Sequence, residues 1–282
     1  MHWLRRWNEV FNAVHCNLGF VLISALRLLL RSRRILYATT LVEIRSRYVG
    51  TTFGLSWAIL YPFLFLGLYA TVYTLILQIR LEQHTPFEYV LIIFSGLIPF
   101  IGFSEVLSGS VSSVVSNKHL IKNTMFPIEL VPVKTVIASS LSMTVGLAGL
   151  LLALWSRGDF HVSQILLIPL LLTQLMFSIG VGWILSALNV FLRDTAQAIG
   201  ILVLFLMIVS PIGYTRDMIP HQLLALAYAN PLFYIIELYR QVLIFGVIAP
   251  LWWLAFVTLA GATFWVGYEM FRRLKPVFAE YV

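Results

Sequence analysis

The sequence predicts an all-α integral membrane protein with six transmembrane helices, an N-terminal amphipathic interfacial helix, and short re-entrant outer helices between spans five and six. Composition, span length and charge placement carry this prediction. Of 282 residues, 60% are hydrophobic and 11% charged, with a mean hydropathy of +0.91. A soluble domain carries about 25% charge, so the chain belongs in lipid. A helix needs about 20 apolar residues to cross the hydrocarbon core. Six stretches are long enough: 55–78, 88–114, 130–155, 163–188, 196–215 and 249–270. Of the 19 Lys and Arg, all but Arg80, Arg157, Arg216 and Arg240 then fall on one side, and the positive-inside bias makes that side, with both termini, cytoplasmic.

Residues 1–52 form the cytoplasmic N-terminal segment and 53–282 the membrane domain. The run "LGFVLISALRLLL" has the look of a signal-peptide core, but Arg27 interrupts it and "RSRR" replaces a small-residue cleavage site. The N-terminus is therefore expected to be retained. In "ALRLLLRSRRILYATTLVEIRSRY", Arg27, Arg31 and Arg34 share one helical face with leucines opposite, the pattern of a helix lying on the anionic inner leaflet. The plainer alternative is a basic tail.

The first span carries "FGLSWAILYPFLFLGLYATVY", with rings at Phe53, Trp57, Tyr61, Phe65, Tyr69 and Tyr73. Each four-residue step turns a helix by about 400°, so six rings sweep roughly 200° and cannot share one face. Phe53 and Tyr73 suit end anchors, while Trp57, Tyr61, Phe65 and Tyr69 are candidates for a path through the protein. A deep tyrosine hydroxyl needs a partner that lipid does not offer, and an aromatic plane stacks on the C–H face of a sugar. The null is that Trp and Tyr near span ends are ordinary interface anchors. In the second span, Ser104, Ser108, Ser112 and Ser116 repeat at i+4 beside Gly109. Small residues so spaced allow close helix packing, or they line a channel with hydroxyls. Glu105 sits nearby and reads as a helix-end contact sooner than a proton relay.

The cytoplasmic loop 115–129, which overlaps "SNKHLIKNTMFPIEL" (116–130), suits a short docking helix over 117–123 ended by Phe126-Pro127, with Lys118, Leu120, Ile121, Lys122 and Glu129 at hand. Residues 217–247 tempt a seventh span, but Glu237 and Arg240 each cost about 2.5–3.5 kcal/mol at mid-membrane on insertion scales. Pro220, Pro231 and Gly246 punctuate the stretch into two short helices instead. Cys16 is the single cysteine, which excludes an intrachain disulfide.

No phosphate-binding G-x-x-x-x-G-K-[ST] loop, H-E-x-x-H, G-x-S-x-G or acidic/His/Cys ligand cluster occurs. The chain is therefore expected to hold no cofactor or metal, to hydrolyse no ATP, and to draw energy from a partner or an ion gradient. A membrane enzyme would need convergent acids or His at one face, whereas Asp194 and Glu129 (inner) and Asp159, Glu82 and His84 (outer) lie in separate loops.

Five motifs in order resemble the membrane subunits of ABC exporters for polysaccharides and teichoic-acid-like polymers. "EIRSRYVGTTFGLSWAILYP" is similar to the family's approach to its first span, through Arg47, Tyr48, Gly50, Gly54, Trp57 and Pro62. "SGLIPFIGFSEVLSGSVSSVVSNKHLIKNTMFPIELVPV" resembles its second span and coupling helix, through Gly96, Pro99, Asn117, Leu120, Lys122, Phe126, Pro127 and Glu129. "NVFLRDTAQ", "NPL" at 230–232 and the tail "FRRLKPVFAEYV" over 271–282 complete the set. The resemblance implies a homodimer with two copies of a separate ATP-binding subunit, which would bind the ATP. It implies a coupling loop 115–129 that docks on that subunit through Asn117, Lys118, Leu120, Lys122, Phe126, Pro127 and Glu129, and outer gate helices in 217–247. The implied cargo is a lipid-linked glycan or polyol-phosphate polymer crossing the bacterial inner membrane, with membrane lipids as neighbours and no nucleic-acid partner. Arg45 and Arg47 would attract its phosphate-rich head group, or simply set topology. An exporter of drugs or small lipids is the alternative within the superfamily.

Overall fold

The computed structural model describes residues 18–72, 75, 85–118, 126–214, 216, 220, 222 and 224–281. Every regular element among them is a helix. Helices α1 (Leu18–Arg31) and α2 (Arg33–Tyr48) occupy the segment expected to form one amphipathic helix. A kink at Ser32 (φ −96°, ψ 14°) divides it, while the amide bonds Ser32→Leu28 and Leu36→Ser32 run on through the bend. An elbow follows in which Gly50 and Gly54 both take positive φ, 84° and 51°, a conformation open to glycine and costly for other residues. It delivers the chain through a 3₁₀ turn, Gly54–Ser56, into α3 (Trp57–Thr71).

Helix α4 (Pro86–Ser116) begins with a capping box in which the Thr85 hydroxyl accepts from the Glu88 amide and the Glu88 carboxylate accepts from the Thr85 amide. Next come α5 (Leu130–Ser156), then α6 (Leu167–Phe191) led in by a 3₁₀ turn, Val162–Leu166, and α7 (Thr195–Val209). Two short helices, α8 (Leu224–Ala229) and α9 (Pro231–Arg240), precede α10 (Pro250–Leu274). A 3₁₀ turn, Lys275–Val277, and α11 (Phe278–Tyr281) end the described chain.

Among the described residues, four helices are long and apolar enough to cross a membrane: Phe87–Ser116, Leu130–Ser156, Val162–Phe191 and Pro250–Val277. They coincide with the second, third, fourth and sixth expected spans. The first and fifth appear as apolar helices of 15 residues, α3 and α7. For α7 the cause is local. Pro211 excludes the helical conformation from the residue before it, and Ser210 is extended (φ −79°, ψ 142°) where the hydropathy alone ran on to 215. The far end of the first expected span, Tyr73 included, lies largely outside the described residues.

Two short helices, α8 and α9, lie in the stretch that tempted a seventh span. Asn230 caps α9 by accepting from the Leu232 amide at 3.0 Å and donates to the Ser210 hydroxyl at 3.0 Å. A π turn, Gln241–Phe245, ends at Gly246 (φ 67°). Leu232, Phe233, Ile235, Ile236, Leu238 and Tyr239 are fully buried. Arg240 is also fully buried, donating to the carbonyls of Pro211, Ile212 and Tyr214 at 2.9, 3.3 and 3.3 Å, with Glu237 at 3.6 Å.

Glycines set the closest helix crossings. The most extensive packing is between α6 and α10, where Gly180 and Gly267 face each other backbone to backbone. A Cβ at Gly180 would sit 2.6 Å from the Thr263 carbonyl and the Phe264 nitrogen, and one at Gly267 would strike the Gly180 carbonyl. This is the small-residue packing that lets membrane helices approach without a hydrophobic driving force. Gly102 admits Met143 of α5 in the same way, and Gly182 admits Ser110 of α4. Gly267→Leu is therefore expected to destabilise by about 3 kcal/mol or more, since main chain cannot move aside as a side chain can. Gly261→Leu on the same helix, where a Cβ meets only Met176 Cε at 3.9 Å, is expected to melt near wild type. Thermal unfolding of the two variants in detergent checks the contrast.

Candidate functional site

Helix α3 buries Ala58, Pro62 and Leu66, one stripe at four-residue spacing. The rings at 57, 61 and 65 each precede a member of that stripe by one position, about 100° around the helix, and so lie on its rim; Tyr69 continues their series one turn beyond the last buried member. They meet in two groups. Phe53 and Trp57 pack edge to face at 5.6 Å. Tyr61 stacks on Phe65 at 6.0 Å, and Phe65 leans on Tyr69 at 4.9 Å. Of the four central rings Tyr61 is the most open, at 47% exposed, whereas Phe65 and Tyr69 pack against the core. The Tyr69 hydroxyl donates to the Met207 sulfur on α7 at 3.4 Å, the protein partner that a deep phenol requires. Phe63, which periodicity did not single out, lies on Gly149 of α5, where an added Cβ would stand 2.6 Å from its Cζ.

The serines of α4 separate from its packing residues. Gly96, Gly102 and Gly109 make the close approaches to α9 and α5. Ser108 is exposed, while Ser104 and Ser112 are half-buried, and the Ser104 hydroxyl is spent on the Ile101 carbonyl at 2.8 Å. Beside them runs a polar seam between α2, α4 and α5. Arg47 Nη2 donates to Ser139 Oγ at 2.8 Å, and Ser142 Oγ donates to Glu105 Oε2 at 3.1 Å. Burial raises the Tyr48 phenol above its ordinary pKa, helped by the Glu105 carboxylate and opposed by Arg47 and a bond to Ser142. Arg45 is exposed. A guanidinium has five N–H donors, and the bond to Ser139 engages one of those on Arg47.

At the mouth of the α4–α5 loop, Asn117 caps α4, donating from Nδ2 to the Ser113 carbonyl at 2.8 Å. Lys134 Nζ donates to Asn117 Oδ1 at 3.0 Å and pairs with Glu43 Oε2 of α2 at 3.1 Å. Lys118 is exposed, and Phe126 and Pro127 are half-buried. Glu129 is buried. Its Oε1 accepts from Lys275 Nζ at 2.8 Å, and its carbonyl accepts from Trp183 Nε1 at 2.9 Å. Leu120, Lys122 and most of the expected 117–123 helix lie outside the described residues. Neither Lys134 nor Lys275 was a candidate from sequence. Their partners stand 91 and 146 residues away, and no local pattern marks such a pair.

Asp159 and Glu88 are tied in salt bridges: Arg157 pairs with Glu88 at 2.9 Å and with Asp159 at 3.4 Å. Glu82 and His84 fall outside the described residues. Among the described residues, no group of three or more His, Cys, Asp or Glu is placed to hold a metal ion.

The model of a family described as "ABC-2 type transporter" matches residues 35–244. The chain is 28% identical over 253 residues to the O-antigen export system permease protein RfbA of Klebsiella pneumoniae, covering 87% of this chain and 94% of that protein. It is 26% identical over 268 residues to the RfbA protein of Myxococcus xanthus, covering 92% and 99%. The polysialic acid transport protein KpsM of Escherichia coli matches at 28% over 244 residues, 83% and 91%.

Ring exposure along α3 is open to test. Tyr61→Ala is expected to change stability by no more than about 0.5 kcal/mol, as at other open positions. Phe65→Ala should cost on the order of 2 kcal/mol, because it strips a ring from the packed core. Melting in detergent distinguishes the two, and equal losses would refute the placement of Tyr61 on an open rim.

Proposed function

The chain belongs to the ABC-2 type transporter family, and from that premise we propose that it is the permease subunit of an ATP-driven exporter carrying a lipid-linked polysaccharide or polyol-phosphate polymer from the cytoplasm across the inner membrane. It is a transport subunit and not an enzyme, and the family implies an ABC ATP-binding partner. The observation that carries the choice of cargo is coverage: relatives named for O-antigen export and polysialic acid transport align over more than four-fifths of this chain and nine-tenths of their own.

In this reading the subunit has six spans, α3 and α7 supplying the first and fifth, with both termini cytoplasmic. Two copies form the transport path and two ATP-binding subunits supply the ATP site, so the chain itself needs no cofactor. Arg45 and Arg47 attract the anionic head group at the inner face. Trp57, Tyr61, Phe65 and Tyr69, with Ser104, Ser108 and Ser112, border the path. The 115–129 loop docks on the ATP-binding partner, and α8 and α9 form the outer gate. Polymer movement needs many weak, sequence-tolerant contacts, and an aromatic face offers them much as stacking platforms do for single-stranded nucleic acids.

Deletion of this chain is expected to leave the lipid-linked polymer accumulating in the cytoplasm, detected by fractionation and immunolabelling. Loss of the polymer with no internal pool, when neighbouring genes are expressed normally, would overturn an export role. A double reversal, Lys118→Glu with Lys122→Glu, is expected to reduce stimulation of the partner's ATPase by at least about tenfold, within the roughly 5–150-fold (about 1–3 kcal/mol) of a typical coupling free energy, while the protein stays in the membrane. Unchanged export in that variant would refute docking through this loop.

A further inference from the structure

The two ends of the α4–α5 loop are tied to different parts of the molecule. The far end is fixed at Glu129, held by Lys275 of the tail and by Trp183 of α6. The near end is Asn117, and its tie leads elsewhere. Lys134 Nζ reaches Asn117 Oδ1 at 3.0 Å and Glu43 Oε2 at 3.1 Å, so one ammonium joins the root of the loop to α2.

This ammonium is poorly replaceable by water, since the Lys134 side chain is only 8% exposed. A cation so withdrawn is stable only while its acceptors remain in place. Displacing Asn117 therefore loads Lys134, and Lys134 transmits the load to Glu43. The first turns of α5 around it, Leu130 through Val136, are buried throughout and act as a fixed post. Helix α2 is the opposite: Thr40 is its one residue classed as buried. A second polar tie to α5, Arg47 to Ser139 at 2.8 Å, lies one turn further along. Just beyond it comes the elbow with left-handed Gly50 and Gly54, at neither of which would an added Cβ meet an atom within 4 Å. The helix is thus hinged in open space and held to a rigid post by polar ties, one of which is shared with the loop.

We propose that Lys134 is a positioning residue that relays displacement of the 118–128 loop to α2, so that loop docking and movement of the interfacial helix are one event. The proposal rests on reading the loop as the docking element for the ATP-binding partner, and it adds how that docking reaches the inner face of the membrane. Lysine suits the role because its three donors serve two acceptors at once, and charge rather than shape fixes the link.

The test uses the full chain co-expressed with its ATP-binding subunit and reconstituted in nanodiscs. The native Cys16 is replaced by serine, and Tyr37→Cys on the exposed face of α2 carries an environment-sensitive fluorophore. Adding a non-hydrolysable ATP analogue is expected to shift emission in the protein with Lys134 intact. Lys134→Met should reduce that shift at least fivefold while co-purification and nucleotide binding persist. The single reversals Lys134→Glu and Glu43→Lys should each abolish it, and the double swap should restore at least half. A full shift in Lys134→Met, no shift with Lys134 intact, or a swap no better than its single parents would overturn the relay. Failure of the chain with Lys134 intact to co-purify with the ATP-binding subunit would overturn the docking reading itself, an outcome distinct from the loss of the relay alone.

Discussion

Charge withdrawn from water must be answered by a partner, at a cost of several kcal/mol when it is not, and this constraint ties together segments that apolar packing would leave free to slide. Lys134 holds α5 to α2 and to the end of α4. Lys275 holds the C-terminal tail to Glu129 at the start of α5. Arg240 gathers the carbonyls of residues 211, 212 and 214 beneath α9, and so fixes the chain between α7 and α8. Glycine contacts such as Gly180 on Gly267 decide how closely the long helices approach. The ion pairs decide which loop and which terminus lie against them. Dispersion packing is spread over a whole face and tolerates small slips, whereas a 3 Å contact to one carboxylate does not.

The distribution of these ties divides the molecule mechanically. Helices α4, α5, α6 and α10 enclose most of the buried side chains. Helices α2 and α3 lie outside them, joined by an elbow of two left-handed glycines and held by a few polar bonds and one row of apolar contacts. In lipid a helix can satisfy its own backbone hydrogen bonds and stay helical while it moves. Movement of α2 thus costs mainly its side-chain ties, and two of these (Glu43 and Arg47) converge on one short stretch of α5, residues 134–139.

Composition and span length made the fold class legible, because lipid leaves helices and closed barrels as the only spanning options. The positions of α4, α5, α6 and α10 followed from apolar length, and the break of 217–247 into short helices followed from Pro231 and Gly246. Legibility ended where a feature depended on a distant residue. An insertion cost kept Arg240 out of a spanning helix and in a short one, without showing what would surround it. The structure buries it completely, since the carbonyls of the 211–214 segment stand in for water. Arg47 was read for its charge alone, and its bond to Ser139, 92 residues away, had no signal in the local sequence. The end of α7 was legible in principle: Pro211 was visible, but hydropathy is blind to the backbone rule it imposes. The serine repeat of α4 left close packing and a hydroxyl-lined wall both open, and the closest approaches on that helix fall at Gly96, Gly102 and Gly109.

The aromatic series of α3 shows what periodicity settles and what it leaves to tertiary contact. The 40° advance per ring ruled out a single face of six, and the buried stripe Ala58–Pro62–Leu66 explains which rings remain open. Ring positions one residue ahead of a packed stripe sit at its border, so neighbours cover some and spare others. Helix α7 reaches Tyr69 through Met207 and takes up its hydroxyl; Phe65 is held between Tyr61 and Tyr69. Tyr61 remains as an open ring backed by a packed one. For a long flexible occupant that arrangement differs physically from an aligned row. Base-type stacking contributes about 1–3 kcal/mol per ring, so six aligned rings would make a well deep enough to arrest a sliding chain. On the proposed export path, one or two open rings would make a shallow one, which orients an occupant without holding it.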